Sequence, residues 1–377
     1  MTFDVDSLAG RIELETLLSG ALGGTVTLAR VARLTPWAVA RCQLRGQSGS
    51  TPPSVIVKWL RRVPTGFRTD PAQLLTEEAA LTFLSDIGVD VAPRLVVGDA
   101  RLGIVVLEVL TPRQPLYALL ACRDPSASAS LMAFAHALGT LHAATVGLAD
   151  TYYSTREALG PVDRFEERTR FLGERSRETC ATFEQLGVPM HAAASEELAT
   201  LQAILPEPGP FLALSNGDAG LNNFLATGSD GRIIDFEFAG YRHALADAQC
   251  LHVPNSLWLT VGDPVHDGTE DEYRRTLSAA VAEAEDDRVF GLGMAAGCLG
   301  MAVERLSRFS KVDARAPGDE SRVQLVSTLQ AACRGAEHHG SLPQLTGWVH
   351  GVIELLRERW PDADADTAQF EPFTPRR

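Results

Sequence analysis

The sequence of 377 residues predicts an α+β protein with two lobes: a small N-terminal lobe with an antiparallel sheet and one helix, and a larger, mainly helical C-terminal lobe. Between residues 25 and 110, short runs rich in Val, Ile, Leu and Ala follow a period of two, which is typical of half-buried strands. Beyond residue 111, most apolar residues recur at helical spacing instead. We therefore expect one lobe at 1–110 and the other at 111–377.

The first lobe is predicted to begin with a helix at 7–18, where Leu14 and Leu18 share one face. Five strands follow, with a helix at 74–84 between the third and the fourth. The predicted strands are 25–33, 38–44, 54–60, 92–97 and 103–107. This order corresponds to a mainly antiparallel sheet with one inserted helix.

The second lobe is predicted to consist of helices around one hairpin. The predicted helices are 128–145, 163–186, 191–204, 270–285, 289–309, 319–338 and 345–359. The apolar stretch 289–303 is too short to span a bilayer, so we expect a buried helix there and no membrane partner. Residues 361–377 repeat Asp-Ala and contain Pro, which predicts a loose tail.

Composition excludes several classes of function. The net charge of −14 argues against nucleic-acid binding, which needs a basic face, and would suit a cationic substrate or a metal–nucleotide complex. The six cysteines show no C-x-x-C spacing, so neither a zinc knuckle nor a redox dithiol is indicated. We expect reduced thiols in a cytoplasmic protein, because no basic region leads into an apolar run at the N-terminus.

The segment 215–225 carries the residue pattern most typical of catalysis. Asp218 is followed five residues later by Asn223, and a turn at 229–231 leads through an apolar strand to Asp235. In phosphoryl transfer, one Asp orients the attacking hydroxyl and accepts its proton, while an Asn oxygen and a second carboxylate hold Mg²⁺. An Asp-x4-Asn loop joined by a hairpin to a strand-end Asp can present all three groups to one point. A plain turn rich in Asp and Asn is the alternative.

Lys58 stands inside an otherwise apolar predicted strand. Burial of a lone ammonium group is unfavourable without a partner. The side chain therefore either points to solvent or faces a cleft, with phosphate oxygens before it and a carboxylate beside it. Glu77 on the following helix suits that pairing better than Glu78, because Leu81 and Leu84 share its face.

Together these motifs resemble the aminoglycoside phosphotransferase and choline kinase superfamily, which has a protein-kinase-like fold. The family pattern His-Gly-Asp-x4-Asn corresponds to 216–223, with Asn216 in place of His, and Ile-Asp-Phe/Trp-Glu is matched at 234–237. The resemblance implies that Asp218 is the catalytic Asp. It also implies that Asn223 and Asp235 are the ligands of Mg²⁺.

The resemblance assigns further residues to the binding of ATP. It implies that Lys58 and Glu77 form the pair that positions the nucleotide phosphates. Glu108 lies in the segment 107–110, which would be the hinge whose backbone meets adenine. Asp247 corresponds to the family Asp that follows the metal-binding motif by about a dozen residues.

Two positions depart from the family pattern. The His before Gly-Asp is replaced by Asn216, which can also donate and accept hydrogen bonds. The loop 34–37, expected to cover the phosphates, is Leu-Thr-Pro-Trp and not glycine-rich. The hydroxyl of Thr35 and backbone N–H groups would have to replace the glycines, or the loop would hold nucleotide poorly.

The expected activity is transfer of the γ-phosphate of ATP to a hydroxyl of a small molecule, with cations among the candidate acceptors. A choline- or ethanolamine-type kinase would box the ammonium with aromatic residues such as Trp258, Trp348 and Trp360, although core packing explains them as well. An aminoglycoside site would use carboxylates such as those in 263–272, although acidic residues at a helix start explain these equally. A nucleotide-binding pseudokinase scaffold is the alternative from another class. An unrelated hydrolase finds no support, because a G-x-S-x-G motif is absent from the sequence.

Overall fold

The computed structural model describes residues 3–34, 38–46, 51–61, 68–164, 174–363 and 370–376. The strands are β1 Val26–Arg33, β2 Val39–Gly46, β3 Ser54–Trp59, β4 Leu95–Asp99, β5 Ile104–Glu108, β6 Gln114–Pro115, β7 Leu212–Ser215, β8 Phe224–Thr227, β9 Asp230–Ile233 and β10 Gly240–His243. The helices are α1 Leu8–Leu22, α2 Pro71–Asp86, α3 Leu116–Ala121, α4 Ala127–Thr145, α5 Ala149–Leu159, α6 Glu174–Gln185, α7 Ala192–Ile204, α8 Ala244–Ala248, α9 Thr269–Ser278, α10 Asp287–Leu306, α11 Phe309–Asp313, α12 Glu320–His338 and α13 Pro343–Arg359. The predicted α+β class is confirmed. Thr35 and the rest of the predicted phosphate loop beyond Leu34 lie outside the described residues.

Residue contacts divide the chain into two units, neither of which is one continuous segment. The first unit comprises Met1–Arg113, Asp150–Val162 and Arg232–Ala239. The second unit comprises Gln114–Ala149, Asp163–Gly231 and Gly240–Arg377. The first unit contains β1–β5, and the second contains most of the helices.

The first unit is built on a five-stranded sheet with the order β1-β2-β3-β5-β4, and every neighbouring pair is antiparallel. The central strand β3 is buried along most of its length, and Lys58 lies opposite Val39 on one side and Val105 on the other. Such continuous burial explains the nearly unbroken apolar run that surrounds Lys58. The sheet therefore fixes the backbone of this residue from both sides.

Local capping determines where the helices of the first unit begin and end. Helix α1 begins after Ser7, whose hydroxyl accepts a hydrogen bond from Gly10 N. It extends four residues beyond the predicted end, because Gly23 adopts a left-handed conformation (φ 70°) and terminates it. Helix α2 begins after Asp70, which forms a capping box with Gln73.

The long apolar helix of the second unit is mostly buried. Helix α10 is the described helix that is long and apolar enough to cross a membrane, but 72% of its most apolar window is buried inside the protein. Gly293 and Gly297 lie against the side chain and the backbone of Leu245, where an added Cβ would approach within 3 Å. These small residues therefore permit close packing against α8.

The predicted loose tail at 361–377 is wrong for its last described residues. Pro375 forms an antiparallel bridge with Trp258. Leu259 N donates a hydrogen bond to Thr374 O at 2.8 Å. The ring of Phe373 packs edge-on against Trp258, with centroids 6.0 Å apart. Backbone hydrogen bonds and an aromatic contact therefore hold residues 373–375, within the stretch that was predicted to be a loose tail.

Candidate active site

Lys58 is a buried ammonium group with two carboxylate partners in the first unit. Its side chain is 6% exposed, and Nζ contacts Oε1 of Glu77 and, at 2.5 Å, Oδ1 of Asp235. Burial alone would lower the pKa of Lys58, but the charges of Asp235 and Glu77 outweigh it and raise the pKa above its usual value. The lysine therefore remains charged, and its burial is compensated by the two carboxylates.

The structure pairs Lys58 with Glu77 and not with Glu78. Glu77 is fully buried on α2, and its Oε2 has no hydrogen-bond partner among the described residues. Glu78 instead lies beside Gly98, and burial followed by the charge of Asp99 raises its pKa. The helix face that Glu77 shares with Leu81 and Leu84 predicted this residue as the partner of Lys58, and the structure places Glu77 beside Lys58.

Asp235 lies just past β9 with a left-handed backbone conformation (φ 60°), which is unusual for a residue other than Gly. Burial would raise its pKa, but Lys58 and Arg68 outweigh burial and lower it. The carboxylate is thus ionised at neutral pH. Hydrogen bonds from Lys58 and Arg68 both end on Oδ1, so Oδ2 has no partner among the described residues and is available to a metal ion.

Sequence reasoning missed Arg68, which joins this cluster from the segment before α2. Its Nε donates to Oε2 of Glu237 at 2.6 Å and its Nη2 donates to Oδ1 of Asp235 at 3.2 Å. Burial raises the pKa of Glu237, although the charge of Arg68 acts in the opposite direction. A signal was present in the Asp-Phe-Glu motif, because a second acid beside Asp235 requires a cationic partner when it is buried.

Asp218 and Asn223 are in direct contact in the second unit, within the loop from β7 to β8. Nδ2 of Asn223 donates to both the backbone O and Oδ2 of Asp218, each at 2.9 Å. Oδ1 of Asn223 accepts from Asn222 at 3.0 Å and retains a second lone pair. The amide therefore orients the carboxylate while keeping one oxygen site for a further ligand.

Asn216 supports this loop in the position where the family pattern has His. It is 1% exposed, and its Oδ1 accepts a hydrogen bond from Asp218 N at 3.3 Å. Ser215 Oγ accepts from Gly217 N at 2.8 Å, and Gly217 adopts a positive φ of 78°. The asparagine thus caps the turn that presents Asp218.

Glu108 lies at the end of β5, where its carboxylate accepts hydrogen bonds from Arg94. Oε1 accepts from Arg94 N at 2.8 Å and Oε2 accepts from Arg94 Nε at 3.0 Å. Its backbone N donates to Arg94 O at 3.0 Å. The predicted adenine contact of the hinge thus has to come from other backbone groups of 107–110.

Glu270 and the three tryptophan candidates for a cationic acceptor site are buried. Glu270 is buried between His252 and His339, whose Nε2 atoms lie 2.5 and 3.1 Å from its Oε2. Burial would raise the pKa of Glu270, but hydrogen bonds from the two imidazoles outweigh it and hold that pKa well below its usual range. Three tryptophans are buried at 5% exposure or less, namely Trp258, Trp348 and Trp360.

Comparison with known families identifies the chain. Residues 47–286, more than half of the sequence, match the model described as the phosphotransferase enzyme family. The chain belongs to this family, and the enzyme class predicted from the sequence, a small-molecule kinase, is confirmed. No curated protein matches.

Several solved structures are similar to this one at low sequence identity. A choline/ethanolamine kinase family protein from Mesorhizobium loti shares 18% identity over 86% of this chain and 93% of its own, with a TM-score of 0.47. Choline kinase LicA from Streptococcus pneumoniae shares 15% identity over 87% and 98%, with a TM-score of 0.44. APH(2")-IIa in its ternary complex with streptomycin and ATP shares 12% identity over 88% and 97%, with a TM-score of 0.49.

Proposed function

We propose that this protein transfers the γ-phosphate of ATP to a hydroxyl group of a small molecule and requires Mg²⁺. The observation that carries the proposal is the charged cluster of Lys58, Glu77 and Asp235 in a chain of the phosphotransferase family. A strand lysine paired with a helix glutamate is the arrangement by which kinases position nucleotide phosphates, and a second carboxylate there holds the metal ion. Because the reaction would consume ATP, we expect it to take place in the cytoplasm.

The donor set fits a magnesium ion. Asp235 offers an ionised oxygen, Oδ2, without a partner among the described residues, and Asn223 offers the second lone pair of Oδ1. Magnesium prefers such hard oxygen ligands and takes few of them from protein. We propose these two residues as its ligands. When bound, the ion neutralises charge on the phosphates and orients them.

In the proposed reaction, the oxygen of the acceptor hydroxyl forms a bond to the γ-phosphorus. Asp218 receives the proton of that hydroxyl. The bond from that phosphorus to the β,γ-bridging oxygen breaks, and ADP leaves. Asn223 orients the carboxylate of Asp218 by its hydrogen bond to Oδ2. Lys58, oriented by Glu77, neutralises charge on the phosphates, and the backbone of 107–110 around Glu108 is proposed to contact adenine.

The proposal is tested by measuring ADP release from Mg·ATP with a panel of hydroxyl compounds, using Asp218→Asn as the blank. Acceptor-dependent release above the blank supports a kinase. Tight Mg·ATP binding without release for any acceptor would favour the pseudokinase scaffold, since it needs the nucleotide site alone. Absence of ATP binding by calorimetry would refute the assignment of Lys58 and Asp235.

A further inference from the structure

A basic cavity of about 600 Å³ lies in the second unit, a volume suited to a small molecule. Its walls come mainly from α10, α11, α12 and the segments between them. Five cations line it, and we call them the basic cavity residues: Arg305, Arg308, Lys311, Arg315 and Arg376. Two carboxylates, Glu178 and Glu304, are also part of the lining.

This excess of cations runs against the composition of the chain. The whole sequence has 48 acidic residues and 34 basic ones, so an average surface would show more acids than bases. Of those 34 basic residues only two are lysines, Lys58 and Lys311. Lys58 belongs to the cluster on β3, and Lys311 lies in the cavity lining.

Three of the five cations have acidic neighbours. Arg308 contacts Glu304 at 3.3 Å. Arg315 and Arg376 share one oxygen of Asp319, at 3.3 and 3.7 Å. These arginines are 23 to 51% exposed, so such pairs contribute little and leave much of the positive charge available.

Arg305 and Lys311 have no ion-pair partner among the residues that the structure describes. Burial lowers the pKa of Arg305, Glu304 offsets part of this effect, and the like charge of Arg308 adds to it. The charges of Glu304 and Asp218 offset only part of the cost of this burial, since the pKa of Arg305 stays below its usual value. An anion in the cavity would supply the remaining counter-charge to Arg305 and Lys311 together.

The cavity is connected to the loop that holds Asp218. Nε2 of Gln324, a lining residue, donates to Asn255 O at 2.7 Å. Nδ2 of Asn255 contacts Oδ1 of Asn222, and Nδ2 of Asn222 donates to Asn223 Oδ1 at 3.0 Å. The charge of Asp218 also acts on the guanidinium of Arg305. Hydrogen bonds within the same unit therefore link the cavity lining to the loop of the proposed catalytic carboxylate.

We propose that the phosphate acceptor carries an anionic group, a carboxylate or a phosphate, and that the basic cavity binds this group. This inference rests on the proposed function and names its substrate class. A fixed anion near Arg305 and Lys311 would place the acceptor beside Asp218. Cationic acceptors such as choline, which the net charge suggested, would be repelled by the same five residues.

The scarcity of lysine gives a binding test that does not depend on turnover. Lys58 is buried, so an amine-reactive reagent followed by peptide mass spectrometry reports mainly on Lys311 and the N-terminal amine. We expect inorganic phosphate and malate to slow modification of Lys311, with no slowing by choline chloride at equal ionic strength. Arg305→Gln should abolish this protection. Equal modification rates in all three salts would overturn the proposal.

Kinetic measurements on variants give a second test of the proposal. Lys311→Met changes an exposed residue and should fold normally, so it complements Arg305→Gln. Each is expected to raise KM for an anionic acceptor about tenfold, whereas Arg288→Gln at the other end of α10 should leave it unchanged. Turnover of choline or an aminoglycoside that neither variant affects would overturn the anionic class but leave the kinase function standing. If the protein does not bind ATP but anions still protect Lys311 from modification, the kinase function is refuted and the anion site stands.

Discussion

Arg68 donates a hydrogen bond to the same oxygen of Asp235 that accepts one from Lys58, so two cations hold one carboxylate. The positive charge of Arg68 repels a metal cation that binds to Asp235. Arg68 also compensates the buried Glu237. The magnesium dependence of nucleotide binding is therefore expected to respond to Arg68 and Glu237 together.

Arg68→Met should lower the Mg²⁺ concentration needed for half-maximal ATP binding about fivefold, because about 1 kcal/mol of repulsion at Asp235 is removed. Fluorescence titration with an ATP analogue at several Mg²⁺ concentrations measures this shift. The double variant Arg68→Met/Glu237→Gln is the control for the acid left unpaired. An unchanged midpoint in both variants would show that Asp235 does not ligate the ion.

Asp218→Asn should reduce kcat by about 10³-fold, because the amide cannot accept the hydroxyl proton. The hydrogen bond from Asn223 ends on Oδ2 of Asp218, so flipping of the new amide can preserve the loop. Mg·ATP affinity should therefore stay within twofold of the parent, measured by calorimetry beside the rate. Retention of more than a tenth of the parental kcat would contradict the role of Asp218 as base.

Lys58→Met should destabilise the protein by about 3 kcal/mol, because it leaves Glu77 and Asp235 without their shared cation. Adding Glu77→Gln should recover at least about 1 kcal/mol, since the buried carboxylate is then neutral. Urea unfolding of the two single variants, the double variant and the parent gives the coupling energy. Strict additivity would mean that the contact contributes nothing to stability.

His243 should make stability fall between pH 6.5 and pH 4. Burial, followed by the like charge of His142, lowers the pKa of His243 from 6.5 to about 4, although Asp247 acts in the opposite direction. In this window the unfolded chain binds a proton that the folded chain does not, so the free energy of unfolding decreases as pH falls. The total loss attributable to this residue is about 3 kcal/mol.

The control is His243→Asn, whose side-chain oxygen can still accept the hydrogen bond that Nδ1 receives from Leu245 N. Between pH 6.5 and pH 5, the parent should lose about 2 kcal/mol more than this variant in urea unfolding. Parallel pH profiles would show that His243 titrates normally in the folded state.

The sequence predicted those site residues whose position follows from a regular element. Lys58 and Glu77 lie on a strand and a helix, and their periods indicated which faces they share. Asp218 and Asn223 lie in one short loop, so their spacing implied contact, and the structure contains a hydrogen bond between them. The roles of these residues in catalysis stay predictions until they are tested.

Residues outside helices and strands were harder to predict from the sequence. Arg68 precedes α2 in a segment without periodicity, and only three-dimensional contacts bring it to Asp235 and Glu237. The net charge of −14 did not predict the positive charge of the cavity. Arg305 and Lys311 line one cavity only when α10 and α11 have folded. The tail prediction failed because composition does not reveal that Phe373 has an aromatic partner.

The anchored C-terminal segment affects how this protein should be produced. Arg376 N bonds to Leu257 O at 2.8 Å, and the side chain of the same residue is one of the five cations of the cavity. A truncation at Pro361 would remove that side chain from the cavity lining. Acceptor screens should therefore use protein that retains residues 370–376, because truncated material would give false negatives.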